Sequence, residues 1–557
     1  MADPPAPTLR YRRPPLGDYA ILFVMVLPNL VWILLDRGRW VSDTSLYALR
    51  ATTLHHVLLH NAENWWSQLF ATGAKPPILP WVGQFFVGIG HLIGDVDIGL
   101  LLVIFVTQFG ALLLLHRALT AALGERSVAL LGCLAVAAAP MFILLSTQFY
   151  VQMVQLLAVC WFLCVMSCSR DWDSLLTLLH LSAASAVAML TTMSSPAYCF
   201  IPGMIALARA WTNRGIPIRV RGAHIGMGLF AALATTLAAA WYLKNLDAAV
   251  AYGRFGYSFA YAAEVRDVFS IKLAEWARLL LFGFFVSAFV SLLSPWAAVV
   301  RPKNEHRSTS AGTATTVLLV AQIVVVLLML TSSAHQTFRY LLPLAPYFAT
   351  VGSWSLSRID RDWLRRVTFV ALGLQLAVTN ASMYLWDGGH FARERQRYVA
   401  ALDAITQAID DDSAETVWLG TGELGVFNFD LAYHMSKSPD YDLSDSRSYY
   451  SIENRLAEIG GDIEALWKQM ETGRSVAIVL QRGPQPPLDQ SNPYDTSQEL
   501  IRATRSISSR VRTSAKFEKR ETPDWWEIEI YRDVGETESS ERLSDGDRNP
   551  PQGPERR

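Results

Sequence analysis

The sequence is poor in charge: Asp, Glu, Lys and Arg make up 17% of its 557 residues, against roughly 25% in an ordinary soluble domain. That shortfall excludes a simple water-soluble globule. An excess of either sign is missing too, because 48 Lys+Arg stand against 49 Asp+Glu for a formal net charge of −1. No global basic field is therefore available for nucleic acid, and none is expected as a partner. Cysteine is scarce, and Cys133, Cys160, Cys164, Cys168 and Cys199 all fall inside apolar runs, so no disulfide framework is expected in the water-exposed parts. Cys160, Cys164 and Cys168 share one helical face, which small-residue packing explains better than metal or redox chemistry.

What is abundant is apolar sequence, 52% by the AVILMFWYC count, in runs too long for ordinary core helices. A membrane crossing needs about 20 mainly apolar residues. Eleven stretches qualify, near 18–36, 98–116, 127–145, 149–168, 174–193, 195–210, 224–244, 279–300, 314–332, 338–356 and 365–386. The expected fold class is therefore a polytopic α-helical membrane protein of about 11 transmembrane helices. If the N-terminus is cytoplasmic, the segments on its side of the membrane hold 17 Lys and Arg, among them Arg10, Arg117, Arg126, Arg214, Arg219, Arg301 and Arg361. The loops opposite, between the third and fourth and the fifth and sixth spans, hold none. Positive residues stay inside, so the expected location is the cytoplasmic (inner) membrane, with the N-terminus inside and the C-terminus outside. The first span ends in Asp36-Arg37-Gly38-Arg39 with no small-residue cleavage site, which argues against a removed signal peptide.

Four regions follow: a cytoplasmic N-terminus (1–17), a transmembrane domain (18–386) with long outer loops at 37–97 and 245–278, an extracytoplasmic α/β domain (387–534), and a tail (535–557) whose Ser, Glu, Asp, Arg and Pro predict disorder. In the α/β domain, Thr416–Leu419, Ser475–Leu480 and Trp526–Tyr531 read as extended, and 391–410, 424–436, 454–471 and 496–512 as helical.

Polytopic proteins often move ions or solutes, yet the spans hold few groups for a pathway beyond His180 and a set of glutamines, including Gln108, Gln155, Gln322 and Gln375. Scarce intramembrane charge weakens a transporter reading. The chemistry-bearing residues lie in the outer loops. Asp43 follows the first span, then Tyr47 and Arg50. Leu46 to Trp65 has an apolar spacing that predicts an amphipathic helix on the bilayer, with Trp65 and Trp66 at headgroup level. Beyond it, Gly73-Ala74-Lys75-Pro76-Pro77 fixes Lys75 on a stiff turn, suited to phosphate as a point charge.

Asp43 with Tyr47 and Arg50, the Lys75-Pro76-Pro77 turn, the stretch ending Gly88-Ile89-Gly90-His91 and the later Phe338-Arg339-Tyr340-Leu341-Leu342-Pro343 together resemble the GT-C glycosyltransferases of the protein O-mannosyltransferase and aminoarabinose lipid A transferase type. The resemblance spans roughly 15–386. It implies transfer of a sugar from a polyprenyl-phosphate donor to an acceptor hydroxyl with inversion. It makes Asp43 the general base or the group orienting the acceptor. Lys75, Arg339 and Arg254 would neutralise the phosphate leaving group, with Tyr47, Arg50, Pro76, Pro77, Tyr340, Asp95 and Asp97 in support. The partners implied are that donor, a lipid, glycan or protein acceptor, and membrane lipids.

The sequence departs from the family in two places. Thr44 follows Asp43 where many members carry a second acid, and Ser146-Thr147-Gln148-Phe149-Tyr150-Val151-Gln152 lacks the acid that many carry at the fourth span. Asp95, Asp97 or Glu63 are the acids left to substitute, and an inactive relative is an alternative. No cofactor is expected and no metal is indicated: His56 and His60 are spaced i, i+4, which suits Zn²⁺ on one helix face, but no third ligand is evident. Each residue also has a plain structural role open to it. Asp43 suits the N-cap of a helix starting at Ser45, Lys75 suits snorkelling, Arg339 suits an interfacial anchor, and Asp95 and Asp97 suit a solvated rim. The rival function is a transporter or flippase of a lipid-linked glycan.

Overall fold

The structure, a computed structural model, describes residues 15–35, 40, 43–71, 75–213, 222–261, 280, 310–331, 338–358 and 362–382. Further on it describes 416–420, 476–481, 498–519, 528–533 and most of 399–410, 427–441 and 448–472. Two compact units result. The first comprises Met1–Gly38 and Arg50–His390, and the second comprises Arg39–Leu49 and Phe391–Arg557.

Helices dominate the first unit: α1 (Leu16–Leu35), α2 (Asp43–His60, its first turns in the second unit), α3 (Ala62–Leu69), α4 (Ile78–Ile93), α5 (Val96–Leu123), α6 (Arg126–Ala137), α7 (Pro140–Leu144), α8 (Val151–Cys168), α9 (Ser174–Thr191), α10 (Ser195–Thr212), α11 (Gly222–Tyr261), α12 (Ser310–Thr331), α13 (Ala345–Arg358) and α14 (Asp362–Ser382). Among the described residues, α1, α5, α8, α9 and the stretches His224–Val250 and Ala314–Thr331 are long and apolar enough to cross a membrane. A seventh crossing is supplied if Arg126–Ala137 and Pro140–Thr147, bent by 59°, form one broken span. The chain is a multi-pass membrane protein.

Of the eleven expected spans, 279–300 lies outside the described residues except for residue 280. The stretches near 195–210, 338–356 and 365–386 are helical but fall short as long apolar helices. α10 holds Pro202 and Arg209 within its length, Phe338–Leu344 winds as a 3-10 turn around Pro343 before α13, and α14 opens on Asp362, Arg365 and Arg366. α8 is the innermost of the long helices, with 83% of its apolar window buried, whereas the α11 window is 22% buried and presents Ile225, Leu229, Leu233 and Leu243 outward. On a spanning helix that outward apolar face suits lipid.

The helix ends sort into two sets. In one, Asp18 at the start of α1 is buried against Arg126 at the start of α6, with His116 near the end of α5 at 3.5 Å. The same set pairs Asp173 at the start of α9 with His224 at the start of α11 (2.8 Å) and Glu125 with Arg365 (3.1 Å). In the other, the starts of α8, α10 and α13 come together through Tyr150, Tyr198 and Arg339. The starts of α1, α6, α9 and α11 thus belong to one set and those of α8, α10 and α13 to the other.

Glutamines in the spans mend broken helix ladders. Gln322 of α12 accepts from the Ile201 N–H (2.9 Å) and donates to the Ala197 carbonyl (2.7 Å) of the proline-containing α10, and Gln375 donates to the Ala138 carbonyl beside the α6–α7 break (2.8 Å). His180 accepts from the Trp161 indole (3.1 Å) and stacks on Trp172 (4.7 Å). Each is a satisfied polar group, the two glutamines buried and His180 half-buried.

In the second unit, β1 (Thr416–Gly420), α15 (Phe427–Ser436), β2 (Ser448–Ser451), α16 (Ile463–Thr472), β3 (Val476–Gln481), α17 (Gln498–Thr513), β4 (Phe517–Lys519) and β5 (Ile528–Asp533) build a sheet of order β2-β1-β3-β5-β4. β1 pairs in parallel with β2 and β3, while β5 runs antiparallel to β3 and β4. Trp418, Ile478 and Leu480 of the sheet pack against Leu466, Met470, Ile507 and Val511 of α16 and α17. The expected helix 391–410 and the tail 535–557 lie largely or wholly outside the described residues.

Candidate functional site

The loop that carries Lys75 is built from aromatics. α2 and α3 break at Asn61, replacing the single expected surface helix. α2 buries Ala51, Leu54, His55, His56 and Val57 within the protein, so its apolar stripe meets side chains and does not lie flat on lipid. Trp66 is exposed, whereas the Trp65 indole donates to Gln84 Oε1 of α4 (2.8 Å). Phe70 packs edge-on against Trp81 (5.5 Å), whose indole donates to the Leu69 carbonyl (2.7 Å). These contacts tie the end of α3 to the first turn of α4. Between them Lys75 is half-buried and Pro76 and Pro77 are buried, with Pro77 immediately ahead of α4. A proline at that point removes no helical hydrogen bond, because the first N–H groups of a helix lack intrahelical partners.

α11 supports this turn from behind. Its backbone breaks at Asn245 (φ −115°, ψ 15°), whose amide donates to the Phe70 carbonyl and to Trp241 O, both at 3.0 Å. Lys244 Nζ reaches the Ser67 carbonyl (3.3 Å). The sequence places an outer loop from 245; instead the chain stays helical to Tyr261 after the Asn245 break, so Arg254 sits on a helix. Ala-rich sequence with no proline carries the helix on.

Arg339 is braced by two aromatic rings. It lies on the 3-10 turn ahead of α13, half-buried, its guanidinium 4.7 Å from the Tyr150 ring centroid and 5.3 Å from that of Tyr340, and it donates to the Tyr150 hydroxyl. Cation–π contacts of this kind favour the planar guanidinium. The turn is tied back to α10: the Tyr198 hydroxyl donates to the Tyr340 carbonyl (2.7 Å), and the Tyr347 hydroxyl donates to the Tyr198 carbonyl. That last carbonyl lies four residues before Pro202, which has no N–H to offer it. The first turns of α10, ahead of Pro202, are thereby tied to the turn that carries Arg339. Tyr150 was not among the residues singled out from the sequence, although it falls in the segment that lacks the family's second acid; its signal was an aromatic next to a helix start.

Other expected site residues have structural duties. Asp95 is the N-cap of α5, its Oδ1 accepting from the N–H groups of Asp97 (2.9 Å) and Ile98 (3.3 Å), and Asp97 is buried. The Gly88-Ile89-Gly90 stretch serves the α4–α5 turn. A Cβ on Gly90 would meet Val96 Cα at 2.6 Å, and Gly94 adopts φ +79°, the left-handed C-cap conformation that favours glycine. Tyr47 is buried and Arg50 half-buried. Asp43 is the first residue of α2.

His56 and His60 stack at 6.1 Å, and the structure adds two rings the spacing did not show, His55 and His91, 5.6 Å apart. Burial lowers the pKa of both His55 and His91. Among the described residues no three His, Cys, Asp or Glu are placed to share a metal ion.

Residues 276–417 match the model of the Alg9-like mannosyltransferase family. A search of curated proteins finds no sequence match. Among solved structures, the chain is similar to ArnT from Cupriavidus metallidurans bound to undecaprenyl phosphate, with a TM-score of 0.55 at 14% identity over 94% of this chain and 99% of that one. The apo state of the same protein gives a TM-score of 0.56 at 13% identity, over 93% and 98%. The resemblance to GT-C glycosyltransferases read from the sequence is thus met by the fold, nearly end to end.

Proposed function

We propose that this chain is a membrane glycosyltransferase that moves a sugar from a polyprenyl-phosphate donor to an acceptor hydroxyl, with inversion, at the outer face of the cytoplasmic membrane. The observation that carries this reading is Arg339, a cation braced by Tyr150 and Tyr340 where three helices start, in a chain whose fold matches a protein crystallised with undecaprenyl phosphate. A fixed guanidinium suits a phosphate leaving group, because preorganised charge stabilises a developing anion with little reorganisation.

In this reading Asp43 is the general base or orients the acceptor hydroxyl, and Lys75 and Arg339 neutralise the polyprenyl phosphate as it leaves, with Arg254 as a further cation. Residues 18–386 form the transferring domain, with the N-terminus inside, and 387–534 form an extracytoplasmic domain. The acceptor is a lipid, a glycan or a protein. Span glutamines engaged in helix repair leave few groups for a translocation path, which favours an enzyme over a carrier.

The test is donor breakdown. The purified full-length protein in detergent, given polyprenyl-phosphate hexoses and pentoses with an envelope lipid extract as acceptor source, should release polyprenyl phosphate. A carrier would leave every donor intact in detergent yet move it across a liposome bilayer. Mass spectrometry of envelope glycolipids from a deletion strain would then name the acceptor.

A further inference from the structure

The second compact unit contains more than the C-terminal sequence: it takes in Arg39–Leu49, the segment that carries Asp43. Within that unit Trp40 stacks on Tyr433 of α15, with ring centroids 5.5 Å apart and planes only 12° from parallel. Both side chains are buried, at 6% and 3% exposure. Lys437, one turn beyond Tyr433, lies 4.6 Å from the Tyr433 ring. On the other side of Asp43, the Ser45 hydroxyl reaches back to donate to the Trp40 carbonyl (3.2 Å), and Ser45 is itself buried. Asp43 therefore sits between two residues tied to each other, one of which is stacked on a helix almost four hundred positions away in sequence.

We propose that Trp40 and Tyr433 are positioning residues: the stacked pair holds the segment that carries Asp43. This rests on the reading of Asp43 as the group that acts on the acceptor. An aromatic stack is a fitting device, because two large buried rings contribute about 0.5–1.5 kcal/mol beyond their area and have few rotamers to lose. The geometric demand is strict, since a general base must come within hydrogen-bonding distance of the proton it takes and misplacement by about 1 Å costs on the order of a hundredfold. A freely moving loop does not meet that demand.

The test uses the full-length protein and steady-state transfer. Tyr433→Leu keeps much of the volume but offers no ring face, and should lower kcat at least tenfold while the donor KM stays within about twofold. Tyr433→Phe keeps the stack and should retain at least half of the parental kcat. Trp40→Leu should match Tyr433→Leu, and the double variant should be no slower than either single one, because both remove one interaction. Ile507→Ala, in the sheet core of the same unit and away from the pair, controls for general loosening: it should lower the melting temperature with kcat unchanged. A Tyr433→Leu enzyme with parental kcat, or an Ile507→Ala enzyme that loses kcat equally, would overturn the proposal. Asp43→Asn separates the two levels. If it leaves transfer unchanged, the reading of Asp43 fails; if it abolishes transfer while Tyr433→Leu does not slow it, the positioning role alone fails.

Discussion

The guanidinium of Arg339 lies 4.7 Å from the centre of the Tyr150 ring and donates to its hydroxyl, joining the start of α8 to the turn ahead of α13. Two segments 189 residues apart in the chain thus make one rigid cationic element, and three of the expectations below depend on how such elements hold phosphate and base.

Arg339→Ala should weaken use of a polyprenyl-phosphate donor by about 1.5–3 kcal/mol, the scale of hydrogen bonds to charged groups. Arg339→Lys should recover only part, since an ammonium lacks the planar fork that stacks on both tyrosines. Tyr150→Phe keeps the ring under the guanidinium and should cost less than either. Donor kinetics as a function of donor concentration check all three, and unchanged kinetics in Arg339→Ala would make this residue an interfacial anchor.

Asn245→Leu removes the amide that holds the Phe70 carbonyl at 3.0 Å. The turn bearing Lys75 should loosen, raising the donor KM severalfold. Lys75→Ala should raise it too, with little change in melting temperature because this side chain is half-exposed. Adding Lys75→Ala to Asn245→Leu should then cost less than Lys75→Ala alone.

Burial, first, and the neighbouring rings of His56, His91 and His60 lower the pKa of His55 below its ordinary 6.5, while a bond to the Gln84 carbonyl pulls the other way. The folded ring therefore binds protons less readily than the unfolded one. Its stabilising contribution is present above pH 6.5 and is lost as pH falls through the lower folded value. Melting temperatures between pH 7.5 and 5 should fall, and fall less in His55→Gln. An equal fall in both would show that acid acts elsewhere.

A reporter that works only outside the cytoplasm should be active when fused after residue 390 and silent when fused near residue 219. The reverse would place the Arg339 element on the cytoplasmic side.

Much of the architecture was legible because it rests on period and composition. The helices α5, α8 and α9 fall where the apolar runs lie, and the extended stretches at 416–419, 475–480 and 526–531 fall on β1, β3 and β5. β2 and β4 were not legible: Ser448–Ser451 and Phe517–Lys519 are short edge strands, too brief to show alternation. The helix within the first outer region was misread, because the spacing of Leu46, Leu54 and Leu58 predicts one surface helix, whereas the chain breaks at Asn61 and Leu54 and His56 are buried. Arg339 was found through a short motif. Tyr150, Asn245 and Tyr433 were not, since nothing local marks a residue whose role comes from a partner far away in the chain.

The most direct measurement is transfer by Asp43→Asn. Asn keeps the size of Asp but cannot accept a proton, and general base catalysis is worth about 10²- to 10⁴-fold. The variant should insert, purify and melt like the parent, keep its donor KM, and release polyprenyl phosphate at least about a hundredfold more slowly in the presence of acceptor. Release within a few-fold of the parental rate would contradict the role assigned to Asp43 and, with it, the proposed course of the reaction.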